Sequence, residues 1–250
     1  MNASKQVVGA ALAGAAAAAR LGARLRGRRR VLHPVGRTFL GYLDVPGGLH
    51  TGVPLLDQPG RYRATARLSK GAPTPRGWPD VLGLAVRVHD VAGRPVDLLM
   101  SSSTRLPVLR QVFLPRRRIA GPYTSLAGYR TPQGRRYLGA WSPSGASLGT
   151  RLDEVAHAMW LGDATYVLAV ASRGGRWQRW GELRLEEALP PAADAALAFD
   201  PAGNDLPELR ATGLLQQLRR ATYRGSQRGR DAVAPRADVP AFPGSDYSAL

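Results

Sequence analysis

Residues 61–69 read RYRATARLS, residues 81–89 read VLGLAVRVH, and residues 95–100 read PVDLLM. In the first run the even positions are tyrosine, alanine, alanine and leucine, and the odd positions are arginine, threonine and serine. Such alternation puts one set of side chains on each face of an extended chain. The second and third runs are short and apolar, and Ala92-Gly93 between them marks a hairpin turn. Upstream, residues 37–43 read as a strand, with Gly41 as a bulge or a site of close approach. Gly47-Gly48 is a turn, and residues 52–60 and 70–80 are loops. Residues 163–171 and 177–185 read as further strands. Residues 101–118 are irregular, and residues 119–150, rich in Gly, Pro and Tyr, have no assignable period. Leu214, Leu215 and Leu218 fall on one helical face, which predicts a helix from Leu206 to about Arg230. Short antiparallel strands between terminal helices give an α+β chain with a closed or nearly closed sheet.

At 250 residues, 44% of them apolar, the chain is long enough for one hydrophobic core. The expected organisation is an Ala/Arg-rich helix over 1–30, a single domain over 31–230, and a poorly ordered tail over 231–250 that carries Pro235, Pro240 and Pro243. No cysteine is present. That excludes disulfides, cysteine-ligated zinc or iron–sulfur clusters, and thiol nucleophiles. The net charge is +17, and Lys5 and Lys70 are the only lysines. Genome composition accounts for abundant arginine as readily as function does. Chemically, guanidinium forks suit carboxylates and phosphates.

The run VVGAALAGAAAAA at 7–19 is shorter than the ~20 residues a membrane span needs. The arginines at 20, 24, 26, 28, 29 and 30 oppose reading it as a secretion signal, so the expected location is cytoplasmic. This basic end allows weak contact with a membrane surface. His33, His50, His89 and His157 have no metal-ligand spacing, and no HExxH, G-x-S-x-G or phosphate-binding glycine loop is present. Trp141, Trp160, Trp177 and Trp180 read as core or rim.

Three segments form a constellation. They are Arg30-Val31-Leu32-His33-Pro34-Val35-Gly36, then Arg67-Leu68-Ser69, then Arg219-Arg220-Ala221-Thr222-Tyr223 with Arg230 seven residues on. They resemble the R-x-x-H-x-x-G, R-F-S and R-x-x-x-Y patterns of the haem catalase superfamily, and more closely its small single-domain catalase-related proteins. Asp80 to Arg87, Asp97-Leu98-Leu99-Met100 and Phe199-Asp200-Pro201 are similar to further family segments, in order. The resemblance covers roughly residues 28–104 and 199–230. It implies a catalase-like antiparallel β-barrel with flanking helices.

The resemblance also implies haem, of the b type, as cofactor, and assigns roles to the matching residues. Arg30, Arg67 and Arg230 would meet the propionates, where bidentate charge-assisted bonds suit arginine. Tyr223 would be the iron ligand as phenolate, and Arg219, one turn earlier, would stabilise its charge. His33 would be the distal general acid/base that moves the peroxide proton, and Ser69 would set its tautomer. Ser102 stands at the distal asparagine position, and a serine reaches less far than an amide. Leu82 replaces an arginine of the family pattern. The chain is roughly half the length of ordinary catalases and lacks their wrapping segment, so a monomer or small homo-oligomer is expected.

The expected activity is peroxide metabolism on hydrogen peroxide or organic hydroperoxides, with a small reductant as second substrate and no specific nucleic acid partner. Two other readings stay open at this point. One is a catalase-fold haem binder without efficient turnover. The other is a basic polyanion or membrane-surface binder that has lost haem.

Overall fold

The computed structural model describes residues 35–71, 78–90, 92–143, 151–152, 154–201 and 203–212. The expected strands are present: β1 (Val35–Val45), β2 (Gly60–Lys70) and β4 (Pro95–Ser102) run longer than their sequence signals, and β3 (Leu82–His89) is one residue shorter. They form a continuous antiparallel meander. The formerly unassigned middle holds β5 (Tyr123–Thr124), β6 (Tyr129–Thr131) and β7 (Gly134–Trp141). β8 (Thr165–Ala171) and β9 (Gln178–Ala188) follow, and β10 is the pair Arg210–Ala211. β9 returns to β1, and β7 pairs with β8. The ring β1-β2-β3-β4-β5-β7-β8-β9 therefore closes as an eight-stranded antiparallel barrel, with β6 and β10 attached beside β7.

Closure depends on a bulge. The β1–β9 register shifts between Leu40 and Gly41. A Cβ on Gly41 would lie 1.9 Å from the Arg184 carbonyl oxygen, so only glycine lets the two backbones approach there. Side-chain parity separates the faces. Phe39, Leu43, Ala66, Leu68, Leu84, Val86, Leu98 and Met100 point inward and belong to one buried core. Near one end of the barrel Tyr123 and Tyr166 meet edge to face, and both hydroxyls donate to the Ile119 carbonyl, at 2.6 and 3.0 Å. Burial pushes both phenols well above their usual range.

The helical part of the α+β expectation is small among the described residues. α1 (Pro54–Asp57), α2 (Glu154–Trp160) and α3 (Pro191–Ala196) are all short. The predicted helix does not begin at Leu206. Leu206 and Leu209 close a turn, and Arg210–Ala211 adds to the edge of β6. A three-residue apolar spacing fits a buried turn as well as a helix, and the unpaired edge of β6 decides between them. No helix among the described residues is long and apolar enough to cross a membrane. The expected 1–30 helix and 231–250 tail lie outside the described residues.

Candidate functional site on the outer wall of the barrel

Alternation sends the other half of each strand to the outer wall, and one row of that wall is made of small residues. Gly36 pairs with Ser69, Ser69 with Gly83, and Gly83 with Ser101. The row continues through Thr124 to Gly139. Partners in register share a face, so Ser69 and Ser101 face the same way. The Ser69 hydroxyl donates to the Gly83 carbonyl at 3.3 Å. The result is a flat strip of backbone and hydroxyl groups at the barrel end where β1 begins and β4 finishes.

Ser102 has the opposite parity and points inward with Met100 and Leu98. Its hydroxyl accepts the Leu82 N–H at 3.0 Å and donates to the Leu114 carbonyl at 2.7 Å. The serine that shares a row with Ser69 is Ser101, which counting along the chain does not single out.

Two buried arginines lie along the same wall, and each faces a carboxylate. Arg67 Nε lies 3.2 Å from Asp194 Oδ1 on α3, and Thr38 also donates to that oxygen. The Arg67 guanidinium lies against Gly36, where a Cβ would be 2.4 Å from Nη1. Arg87 makes a two-pronged pair with Asp97, with Nε and Nη2 at 2.6 and 2.7 Å, and its Nη2 also donates to the Ala198 carbonyl. Asp97 accepts further from the Asp200 N–H at 2.6 Å and from Asn204 Nδ2 at 3.0 Å. The Arg87 guanidinium lies 5.2 Å from the centre of the Phe199 ring. The Phe199-Asp200-Pro201 segment is thus fastened to β4 on the outer wall. Sequence reading noted the Asp97 and Phe199 segments separately and missed that Arg87 joins them. Asp194 gave no signal at all.

Of the residues assigned through the family resemblance, Ser69, Arg67 and Ser102 are placed above. Arg30, His33, Arg219, Tyr223 and Arg230 lie outside the described residues. The described wall suits haem in two respects. The row's own residues Ser69, Gly83 and Ser101 are small, and Arg67 supplies a cation beside them, with its guanidinium over Gly36, while Trp177 covers Gly139. Asp194 already matches the Arg67 charge, so a propionate would share or displace that carboxylate. Among the described residues no group of three His, Cys, Asp or Glu side chains could hold a metal ion.

No protein-family model and no curated protein matches the sequence. Solved structures do match. A fungal catalase superposes with a TM-score of 0.61 at 14% identity, covering 86% of this chain and 62% of that one. A bacterial catalase gives 0.58 at 14% identity, covering 82% and 58%. This chain therefore spans about three fifths of those proteins' length. The similarity is one of fold, and the barrel described above is catalase-like.

Proposed function

We propose that this protein is a haem-dependent, peroxide-metabolising enzyme of catalase or peroxidase type, acting on hydrogen peroxide or an organic hydroperoxide. The observation that carries the reading is the outer-wall row Gly36–Ser69–Gly83–Ser101, beside Arg67, on a catalase-like barrel. Of the three sequence segments that resemble catalases, two reach this row within the described residues. The first ends at Gly36, the second is Arg67-Leu68-Ser69, and the Phe199 segment that leads to the third is bonded to Asp97.

In this reading haem supplies the redox chemistry that cleaves the peroxide O–O bond. His33, three residues before Gly36, accepts a peroxide proton at one oxygen and returns it to the other. Ser69, in register with Gly36, holds the imidazole in the required tautomer. Tyr223 holds the iron as phenolate, and Arg219 favours that charge state. Arg30, Arg67 and Arg230 bind the propionates. Ser102, which the resemblance sets at the position of the catalase amide, turns its hydroxyl inward, and Ser101 on the row offers only a short hydroxyl. This favours hydroperoxide conversion with a small reductant over rapid dismutation.

The test is the absorption spectrum of protein reconstituted with haem, beside Tyr223→Phe and His33→Ala. The expected result is stoichiometric haem with a ferric high-spin, phenolate-type spectrum that is lost in Tyr223→Phe. His33→Ala should keep the spectrum and lose turnover by roughly two or more orders of magnitude. Identical spectra for wild type and Tyr223→Phe, or no specific uptake, would overturn the reading.

A further inference from the structure

We propose that the loop over residues 105–118 is a docking surface for anionic lipid membranes. The loop is built inside out. At its centre Arg110 is turned into the protein while the apolar side chains around it face water. Arg110 is fully buried, and it donates to the Ser172 and Gly175 carbonyls at 3.3 and 2.9 Å with its guanidinium 4.3 Å from the centre of the Trp177 ring. Burial lowers its pKa. Ser103 Oγ donates to the Val112 carbonyl at 2.6 Å, the Leu114 N–H donates to the Ser102 carbonyl at 2.9 Å, and Thr124 holds the Arg110 carbonyl at 2.5 Å. These bonds fix the loop in place.

Against that anchored base, Leu106, Val108, Leu109, Val112, Phe113 and Leu114 are 39–62% exposed. Six large apolar side chains exposed within nine residues form a continuous patch, which free-standing surfaces rarely carry. At its tip Val108 adopts φ 64°, a conformation that a β-branched residue takes only when its surroundings impose it.

The patch has a cationic shoulder. Arg105, Arg116, Arg117 and Arg118 line a cleft of about 620 Å³ together with Trp141 and Ser142, and among the described residues no carboxylate lines it. Among the described residues none of these arginines has a salt bridge. Arg116 spends Nε and Nη2 on the Ser103 carbonyl, and Arg105 lies over the Trp141 ring at 5.1 Å. The Ser142 hydroxyl is buried without a hydrogen-bond partner. Trp78 is 64% exposed, two residues from the bridge that pairs Asp80 with Arg116. Asp80 is the nearby acid, and it is buried.

An apolar tip beside unpaired guanidinium groups and an exposed tryptophan matches the cross-section of a bilayer interface. The side chains at 106–114 would enter the boundary between headgroups and acyl chains. The arginine cleft would take lipid phosphates, which accept guanidinium bidentately. A neutral protein partner would satisfy the patch and leave the arginines unmatched. An anionic membrane satisfies both. The inference does not depend on haem.

Cosedimentation of the full chain with vesicles of phosphatidylcholine, with and without phosphatidylglycerol, tests it. Two double variants keep residues 1–40 intact, so N-terminal charge contributes equally throughout. Arg117→Gln with Arg118→Gln should weaken binding to the anionic vesicles roughly thirtyfold, at ~1 kcal/mol per arginine. Leu109→Ser with Phe113→Ser should weaken it at least ~tenfold. Both should unfold at the wild-type temperature, because the replaced side chains are exposed. Brominated acyl chains should quench the tryptophan emission of wild type and not that of the apolar variant. Absence of binding, or binding that both double variants retain, overturns the proposal. So does concentration-dependent dimerisation that Phe113→Ser abolishes without any vesicle binding, which would give the patch to a second copy of the chain.

Discussion

Arginine is used in two opposite ways on the two flanks of this barrel. On the wall formed by β2 and β3, Arg67 and Arg87 are buried, and each faces a carboxylate, Asp194 or Asp97. Around the β4–β5–β7 end, Arg105, Arg110, Arg116, Arg117 and Arg118 meet carbonyls, aromatic faces or solvent, without a salt bridge among the described residues. On the first flank the charge is cancelled within the chain, and the side chain works as a structural fork. On the second no carboxylate among the described residues cancels it. High arginine content thus carries no single meaning, and the partner decides it.

Breaking the paired flank should have the largest effect. Arg87→Ala would leave the buried Asp97 carboxylate without its cation and the Ala198 carbonyl without its donor. A loss of about 3–5 kcal/mol is expected in chemical denaturation. Arg110→Met tests the other flank. It removes donors from two carbonyls and strands no charge, so a loss of about 1–2 kcal/mol is expected. Equal losses for the two variants would erase the distinction drawn here.

The smallest effect belongs to the hairpin pair of Asp90 and Arg94, whose Oδ2 and Nη2 are 2.6 Å apart. Burial opposes ionisation of Asp90. Hydrogen bonds from the Arg94 side chain and backbone and from the Ala92 N–H, with the Arg94 charge, outweigh it and hold the carboxyl below the usual range. A lowered native pKa stabilises the fold at pH above the unfolded value and is lost as pH falls through the native one. Asp90→Asn should therefore lower the thermal midpoint slightly at neutral pH. The difference should vanish in acid below the native pKa of Asp90.

The sequence made the wall of the barrel legible and left its closure obscure. Residues 61–69 alternate because β2 is wet at one end and packed along the rest, and Gly41 marked the bulge correctly. β7 escaped notice because Gly134, Gly139 and the adjacent Arg135 and Arg136 break its alternation, and β5 and β6 because strands of two and three residues have no period to detect. α2 and α3 are too short to show one. At the candidate site the chain distance from Asp97 pointed to Ser102. Facing depends on register, though, and a shift of one residue turns a side chain to the other side of the sheet. The pairing of Gly83 with Ser101 sets the register, and nothing local to β4 announces it. Arg67 was singled out by its motif, and the structure pairs it with Asp194. That aspartate belongs to a helix that the sequence did not reveal.

The pairing of β1 with β9 has a consequence during synthesis. The four-strand meander β1–β4 can assemble as soon as residues 35–102 have left the ribosome, because each strand pairs with its neighbour in sequence. The other edge of β1 must wait until Glu182–Ala188 emerge, since Leu40 pairs with Glu187 and Leu43 with Leu183. Until then the nascent chain carries a long unpaired strand edge with Phe39 and Leu43 beside it. Such an edge recruits other chains as readily as its own partner. Yield from the ribosome should then depend on how quickly the stretch between β4 and β9 is read.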